Sequence, residues 1–220
     1  MVDDANTWAG NLELVGGRLC LDFANTVDWH ASDHPREWLT GFSDLAAWSR
    51  HAGALTEGQA RSLVRAAESG AEEAASVLER AITLREALYR IFSAIAARRS
   101  VEPADLATLN TALATALMHL RVIPADEGFT WDWAAGQGEL DRMLWPVAWS
   151  AARLLTSKDL DRVRECPGDG CGWLFLDTSK NRTRKWCSME SCGNRAKARR
   201  HYRKTHKQRA SSARVAHTEP

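Results

Sequence analysis

Four of the five cysteines lie in one short stretch near the C-terminal end of the chain, and their spacing restricts the fold more than any other feature. Cys166 and Cys171 are separated by four residues, as are Cys187 and Cys192, and fifteen residues lie between the two pairs. Four thiolates match the tetrahedral, soft-ligand preference of a structural Zn²⁺ site, and they leave no coordination position open for a catalytic water. The spacing therefore predicts one structural zinc ion and argues against zinc-dependent hydrolysis.

An iron–sulfur cluster is the alternative metal centre, since it also uses four cysteines. The polar turns and basic residues that flank the cysteines are more typical of a zinc finger. A segment of about 40 residues has too little core to fold alone, so metal binding is expected to contribute folding free energy directly. Cys20, the fifth cysteine, lies far from the cluster and is expected to be a small buried apolar residue.

The residues around the cysteines predict a knuckle, a hairpin and a helix. Residues 166–171 (CPGDGC) contain the proline and glycines of a tight turn. Residues 173–177 (WLFLD) and 184–187 (RKWC) are typical of two strands, and Ser188 can cap a following helix. This order predicts a treble-clef-like zinc finger domain over residues 157–210.

The net charge of +1 hides an asymmetry between the two parts of the chain. Residues 1–156 contain 13 arginines, no lysine and 21 acidic residues, a balance of −8. Residues 157–220 contain 16 lysines and arginines and 7 acidic residues, a balance of +9. This asymmetry predicts that the two parts meet different partners. Within the basic part, the tail over residues 211–220 is polar enough to be disordered.

Arginines recur along the helix that is predicted after the last cysteine. Arg195, Arg199 and Arg203 are spaced by four residues and so share one helix face, where like charges repel one another. A polyanion facing them would relieve the repulsion and release its own counterions, which favours nucleic acid as the partner. Duplex DNA is favoured over RNA because a recognition helix fits the major groove of DNA.

The candidate DNA-contacting residues lie in the predicted hairpin turn and in the helix. Asn194 and Arg195 can read adenine or guanine edges, and the other cations are expected to contact phosphates. The full set is Lys180, Arg182, Arg184, Lys185, Asn194, Arg195, Lys197, Arg199, Arg200, Arg203 and Lys204. The alternatives are a solvated charged face, a surface for structured RNA and an interaction module for an acidic polypeptide.

Residues 1–156 predict a mostly helical domain with a small β element near its start. Residues 12–27 alternate in part between apolar and other residues and contain a pair of glycines, which predicts a strand or hairpin. Further along, Ser43 is expected to cap one helix. Thr56 with Gln59 forms a capping-box pattern ahead of another helix.

Longer elements are predicted in the second half of this domain. Apolar residues at three- and four-residue steps over residues 71–99 predict a long amphipathic helix, and Pro103 is expected to open the next one. Two short apolar segments within residues 119–133 predict a hairpin. A last helix is expected over residues 139–156, where Pro146 bends it or marks a late start. The predicted fold class is therefore mostly α with small β elements.

Two segments resemble known families. Cys192-Gly193-Asn194-Arg195, followed by AKARRHYR, resembles the signature of the CGNR zinc fingers, and the match extends through all four cysteines. Residues 14–28 (LVGGRLCLDFANTVD) resemble the glycine-pair and LDFxNT pattern of the ABATE domain, which commonly precedes that finger. The resemblance covers nearly the whole chain and implies a bacterial transcription regulator of the stress-induced type. It also implies that the four cysteines bind zinc and that the helix starting at Cys192 contacts DNA.

An acidic helical domain joined to a DNA-binding finger suggests a sensor or a dimerisation domain. Asp22, Asn25, Thr26 and His30 lie close together in sequence and near tryptophans, and convergent polar groups of this kind can bind a small-molecule effector. Asp22 and Asn25 can equally tie down a turn or cap a helix. A homodimer is the alternative to a ligand sensor.

The sequence carries no motif that predicts an enzyme, a membrane protein or a secreted protein. The histidines lie in no recognisable nucleophile or metal motif, so no enzymatic activity is predicted. No apolar run approaches the roughly 20 residues of a membrane span. The acidic opening residues lack the basic region and apolar core of a signal peptide. We therefore expect a cytoplasmic protein with no membrane partner.

Overall fold

Helices dominate the computed structural model, which describes residues 8–134 and 139–203. They are α1 (Leu19–Ala24), α2 (Phe42–His51), α3 (Glu57–Ser69), α4 (Ala71–Ala96), α5 (Pro103–Met118), α6 (Leu144–Leu155) and α7, which starts at residue 194 and is described to residue 203. Across those two ranges, none of the helices combines the length and apolar character that spanning a membrane requires.

The strands pair into three small antiparallel hairpins. These are β1 (Val27–Asp28) with β2 (Arg36–Glu37), β3 (Leu120–Ala125) with β4 (Gly128–Trp133), and β5 (Val163–Glu165) with β6 (Leu174–Leu176). The fold class is confirmed: a mostly α chain with small β elements, a helical N-terminal part and a finger-like C-terminal part. The hairpin predicted within residues 119–133 is confirmed as β3–β4.

Several helix boundaries follow from local sequence signals. Thr56 Oγ1 accepts a hydrogen bond from Gln59 N, and Gln59 Oε1 accepts one from Thr56 N at 2.8 Å, so the predicted capping box opens α3. Pro103 is the first residue of α5, where its missing N–H is not needed. Pro146 lies in the first turn of α6, so the expected late start of this helix is confirmed.

The strand predicted over residues 12–27 is wrong for most of its length. Residues Leu19–Ala24 form α1, and only Val27 at the end of the segment enters a strand. Cys20, Leu21, Phe23 and Ala24 are all buried, so α1 packs against the core on more than one side. A short run of apolar residues fits both helical and strand periods, and packing on two sides selects the helix here.

The expected cap at Ser43 is also wrong. α2 begins at Phe42 with Gly41 as its N-cap residue. Asp44 provides the side-chain contact in this turn, because its Oδ2 accepts hydrogen bonds from Thr40 N at 3.1 Å and Thr40 Oγ1 at 2.6 Å. A carboxylate in the first turn also interacts favourably with the helix dipole.

One hydrophobic core spans both parts of the chain. α1 lies at its centre, with Leu21 and Phe23 fully buried, and α4 and α6 pack around it. Val163, Leu174 and Leu176 of the β5–β6 hairpin belong to the same core. Cys20 is buried in it as expected, and burial raises the pKa of its thiol to about 12, so the side chain stays neutral.

Candidate metal centre and nucleic-acid interface

The four clustered cysteines come together from two short segments, residues 166–171 and 187–192. Cys166 directly follows β5, Cys171 closes the knuckle before β6, Cys187 follows a loop, and Cys192 lies in the π-helical turn Met189–Gly193 that leads into α7. All four side chains are buried, and their Sγ atoms lie within 4.8 Å of one another. Ser188 caps the turn as predicted, since its Oγ accepts a hydrogen bond from Ser191 N.

The sulfur geometry fits a tetrahedral zinc site. The Sγ atom of Cys187 lies 3.7 Å from that of Cys171 and 3.6 Å from that of Cys192. Zn–S bonds of about 2.3 Å in a tetrahedron separate the sulfurs by about 3.8 Å. The donor set and its spacing therefore match one structural zinc ion.

The electrostatics of the cluster favour a bound cation. Hydrogen bonds with Cys166 and the other thiols, together with one from Arg195, hold the pKa of the Cys192 thiol far below its ordinary value. Hydrogen bonds with Cys166 and the other two thiols, together with burial, raise the pKa of Cys187 well above its ordinary value. A divalent cation among the four sulfurs would stabilise all four as thiolates.

Close packing around the sulfurs depends on a glycine in the knuckle. A Cβ atom at Gly168 would lie 2.9 Å from Cys192 Sγ and 3.4 Å from Cys166 Sγ, which is too close for the first contact. Arg195 Nη2 also donates a hydrogen bond to Cys192 Sγ at 3.0 Å. Such contacts outside the ligand shell fix the position of a metal ligand.

The second strand predicted for the finger, over residues 184–187, is wrong. β6 pairs instead with β5, which precedes the first cysteine, so the hairpin encloses the knuckle. The segment from Asp177 to Arg184 is a loop held by side chains: the Asp177 carboxylate accepts hydrogen bonds from Ser179 N, Ser179 Oγ and Arg184 N. These bonds replace a strand ladder with a compact turn.

Arg184 points inward rather than toward solvent. Its guanidinium donates to Cys187 O at 2.6 Å and to Val15 O at 3.1 Å, and it lies 4.4 Å from the centre of the Phe175 ring. The side chain thereby connects the metal-binding loop to the N-terminal segment. Of the predicted DNA-contacting residues, this one has the clearest structural role.

Four of the predicted arginines line one cleft, and three of them have the four-residue spacing noted in the sequence. Arg195, Arg199 and Arg203 of α7 face the knuckle residues 167–169 across a cleft of about 480 Å³, which Arg200 and Trp186 also line. Arg199 pairs with the Asp169 carboxylate at 2.7 Å. The cleft therefore combines a row of cations with one aromatic ring beside the metal centre.

The remaining candidate residues differ in whether their side chains contact other parts of the protein. Arg182 pairs with Asp161, and Lys185 Nζ lies 5.0 Å from the centre of the Trp186 ring. The Asn194 amide donates to Glu190 O at 3.0 Å. Within the part of the chain that the structure describes, exposed cations without an ion-pair partner include Lys180, Lys197, Arg200 and Arg203. Lys204 lies outside the described residues.

The four candidate ligand-binding residues of the N-terminal part each make an internal contact. Asp22 Oδ1 accepts a hydrogen bond from Gly16 N at 2.7 Å, and Thr26 Oγ1 donates to Phe23 O at 2.8 Å. The Asn25 side chain pairs with the backbone of Leu174. His30 stacks on Tyr89 and lies 3.0 Å from Glu86 Oε2. Their role in binding an effector stays a prediction.

The sequence patterns did not predict a charged network in the N-terminal part. Arg85 is only 2% exposed, and its guanidinium binds the Glu37 carboxylate through two bonds of 2.6 and 2.7 Å and also the Glu86 carboxylate. Burial raises the pKa of Glu86, but the hydrogen bond with His30 and the charge of Arg85 lower it further, to about 2. An arginine next to the apolar stripe of α4 was the available signal.

Helix α4 also contacts the β5–β6 hairpin, which carries the first metal-binding cysteine. Glu165, the residue before Cys166, accepts a hydrogen bond from Ser93 Oγ at 2.6 Å, and its other carboxylate oxygen lies 3.5 Å from Tyr89 Oη. Tyr89 also lies against Gly172, where a Cβ atom would come within 2.8 Å of its hydroxyl. α4 is thus fixed to both sides of the knuckle.

Comparison with protein-family models matches both parts of the chain. The ABATE model, described as "Putative stress-induced transcription regulator", matches residues 17–158, and the CGNR zinc finger model matches residues 162–205. A comparison with curated proteins gives no match. The first model covers more than half of the 220 residues, and the second contains the four buried cysteines. The chain therefore belongs to the ABATE family and carries a CGNR zinc finger after the ABATE domain.

Proposed function

We propose that this protein is a zinc-dependent transcription regulator of the bacterial cytoplasm that binds duplex DNA through α7. The main support for this proposal is the row formed by Arg195, Arg199 and Arg203, which lines one cleft directly beside the metal centre. Phosphate oxygens are the natural partners of such a row. The family description agrees with this role and with a function in stress responses.

In this proposal the zinc ion has a structural task. When bound by the four cysteines, zinc fixes the knuckle and the first turn of α7 relative to each other. Arg195 adds to this by its hydrogen bond to Cys192 Sγ. The protein's own cations then contact the DNA backbone, and the proposal assigns base-edge contacts to Asn194 and Arg195 once DNA competes for their internal hydrogen bonds to Glu190 O and Cys192 Sγ.

The N-terminal part is proposed to control how the finger is presented, either as a ligand sensor or as a dimerisation domain. For dimerisation, the β3–β4 hairpin offers an apolar face. Val122 pairs across the hairpin with Trp131, and Pro124 with Phe129, so these side chains lie on one side. Phe129 is 76% exposed and Trp131 is 58% exposed. An apolar strand face of this kind is typical of a contact surface.

The experiment that tests the function uses zinc-loaded full-length protein and sheared DNA from its own genome. Binding is carried out at near-physiological salt, because nonspecific phosphate contacts weaken steeply as salt rises. We expect a few sharply enriched sites when the retained fragments are sequenced. Diffuse retention or none would overturn this function and favour structured RNA or an acidic polypeptide as the partner.

A further inference from the structure

A cavity of about 300 Å³ lies between α4, α5 and α6, remote in sequence from the metal-binding residues. Its walls include Leu84 of α4, Ala112 of α5, and Leu144 and Trp145 of α6. A volume of this size is at the lower end of cavities that bind small molecules. The apolar walls favour a compact, largely apolar occupant.

Threonine hydroxyls supply most of the polar groups that line the cavity. Thr108, Thr111 and Thr115 line it from one face of α5, and Thr83 lines it from α4. Each hydroxyl donates to a carbonyl of its own helix four residues earlier, at distances of 3.1, 3.0, 3.3 and 2.8 Å respectively. With the hydroxyl protons engaged in this way, the oxygens retain lone pairs that can only accept hydrogen bonds.

The charges at the cavity balance. Arg80 and Asp141 both line it, and Arg80 Nη2 lies 3.5 Å from Asp141 Oδ2. A guanidinium and a carboxylate together leave no net charge to attract an ion. An uncharged occupant therefore suits the site better than an anion or a cation.

From these observations, we propose that the cavity binds a small uncharged molecule with a ring-sized apolar body and at least one hydroxyl or N–H donor. The apolar body would contact Leu84, Leu144 and Trp145, and the donors would bind the threonine hydroxyl oxygens. The accepting threonines favour an occupant with a donor, because an apolar molecule without one would shield these partly exposed oxygens from water and give no hydrogen bond in return.

The position of the cavity links it to the metal centre through one helix. Leu84 lines the cavity, and Ser93, about 14 Å further along α4 at 1.5 Å per residue, binds Glu165 next to Cys166. An occupant that shifts α4 would therefore shift the knuckle. This regulatory consequence rests on the proposed function, whereas the binding site does not.

The site is tested with naphthol, an uncharged ring compound with one hydroxyl donor, titrated into zinc-loaded full-length protein without DNA. Binding is followed by saturation-transfer NMR and calorimetry. We expect saturable binding that weakens at least about tenfold in Ala112→Leu, which fills the cavity. Ala114→Leu, an exposed position on the same helix, is the matched control and should bind like the parent.

Two further measurements separate the outcomes. Thr111→Val keeps the shape but removes one acceptor, and it should weaken naphthol binding about fivefold while zinc content stays stoichiometric. Naphthoate, a charged analogue with the same rings, should bind more weakly than naphthol. Absence of saturable naphthol binding, or equal binding by the parent and Ala112→Leu, would overturn the site. DNA retention with and without naphthol then tests regulation independently.

Discussion

Asn25 and Leu174 are joined by two hydrogen bonds across 149 residues of sequence: Asn25 Nδ2 donates to Leu174 O at 2.8 Å, and Leu174 N donates to Asn25 Oδ1 at 2.7 Å. The amide satisfies the backbone of β6 as a neighbouring strand would. Close by, Trp173 Nε1 donates to Val27 O at 2.9 Å. The zinc finger is therefore attached to the helical part by specific polar contacts as well as by the shared core.

Replacing Asn25 by alanine should lower the stability of the whole chain. The buried carbonyl and N–H of Leu174 would lose their partners, which is expected to reduce the free energy of unfolding by about 2–4 kcal/mol. Denaturant unfolding followed by circular dichroism measures the change. Asn110→Ala, at an exposed position of α5, is the control and should leave stability nearly unchanged. Equal effects of the two substitutions would contradict a special role for Asn25.

Replacing Cys166 by serine should abolish stoichiometric zinc binding. Three remaining thiolates hold zinc much less well, so the β5–β6 hairpin loses its metal support and its residues in the shared core are disturbed. Zinc content by atomic absorption and limited proteolysis of the finger check this result. Cys20→Ala should keep zinc, because this cysteine is not part of the cluster. Full zinc content in Cys166→Ser would argue against the four-cysteine site.

Arginines that line the cleft and the inward-facing arginine should behave differently. Arg200→Ala combined with Arg203→Ala is expected to weaken DNA binding and to reduce the magnitude of its salt slope by about 2, with little change in zinc content. Arg184→Ala should instead lower thermal stability, since it leaves the Val15 and Cys187 carbonyls without their donor. Fluorescence anisotropy across a salt series and thermal melts separate the two effects. An unchanged salt slope in the double variant would exclude these arginines from the interface.

The Asp22 carboxyl should make stability depend on pH. Burial raises its pKa from 3.8 to about 6 despite the hydrogen bond from Gly16 N. The folded chain therefore holds this proton more tightly than the unfolded chain, and the contribution of Asp22 to the unfolding free energy falls as pH rises from about 4 to about 6. Asp22→Asn should raise the melting temperature at pH 7 relative to the parent and have a smaller effect at pH 4. Asp126→Asn, in the exposed hairpin turn, is the control.

The apolar face of the β3–β4 hairpin should govern self-association if the N-terminal part forms a dimer. Phe129→Glu is expected to shift the protein to the monomer, because a buried unpaired charge in the contact is costly. Thr130→Glu, on the opposite face of the same strand, should leave the dimer intact. Sedimentation velocity distinguishes the two. A parent protein that is monomeric at high concentration would remove the dimerisation role and leave ligand sensing.

Local chemistry made much of this architecture predictable. The cysteine spacing, the capping box at Thr56 and the proline at the start of α5 all act within a few residues, so the sequence carries them directly. The helix Leu19–Ala24 was missed because six residues carry too little periodicity to separate a helix from a strand. The core that buries it on both sides comes from distant segments.

Contacts between residues that are distant in sequence could not be predicted from local sequence patterns. The pairing of β5 with β6, the inward turn of Arg184 and the bond between Ser93 and Glu165 depend on which elements meet in space. Basic residues in a run look alike in sequence, yet one of them stabilises the finger and others line the cleft. The threonine-lined cavity likewise exists only because three helices meet around it.

The ion pair between Asp169 and Arg199 means that the Asp169 carboxylate competes with phosphate for the Arg199 guanidinium. A phosphate can gain Arg199 only by returning the Asp169 carboxylate to water, so the two anions exchange rather than add. Both partners are largely exposed, and such pairs contribute about 0.2–1 kcal/mol. The free energy needed to break this ion pair is therefore small. The cost still weakens the binding of an anion that contacts Arg199 alone. A phosphate that other residues of the helix also hold in position is affected less, so Arg199 gives a modest preference for correctly placed phosphates.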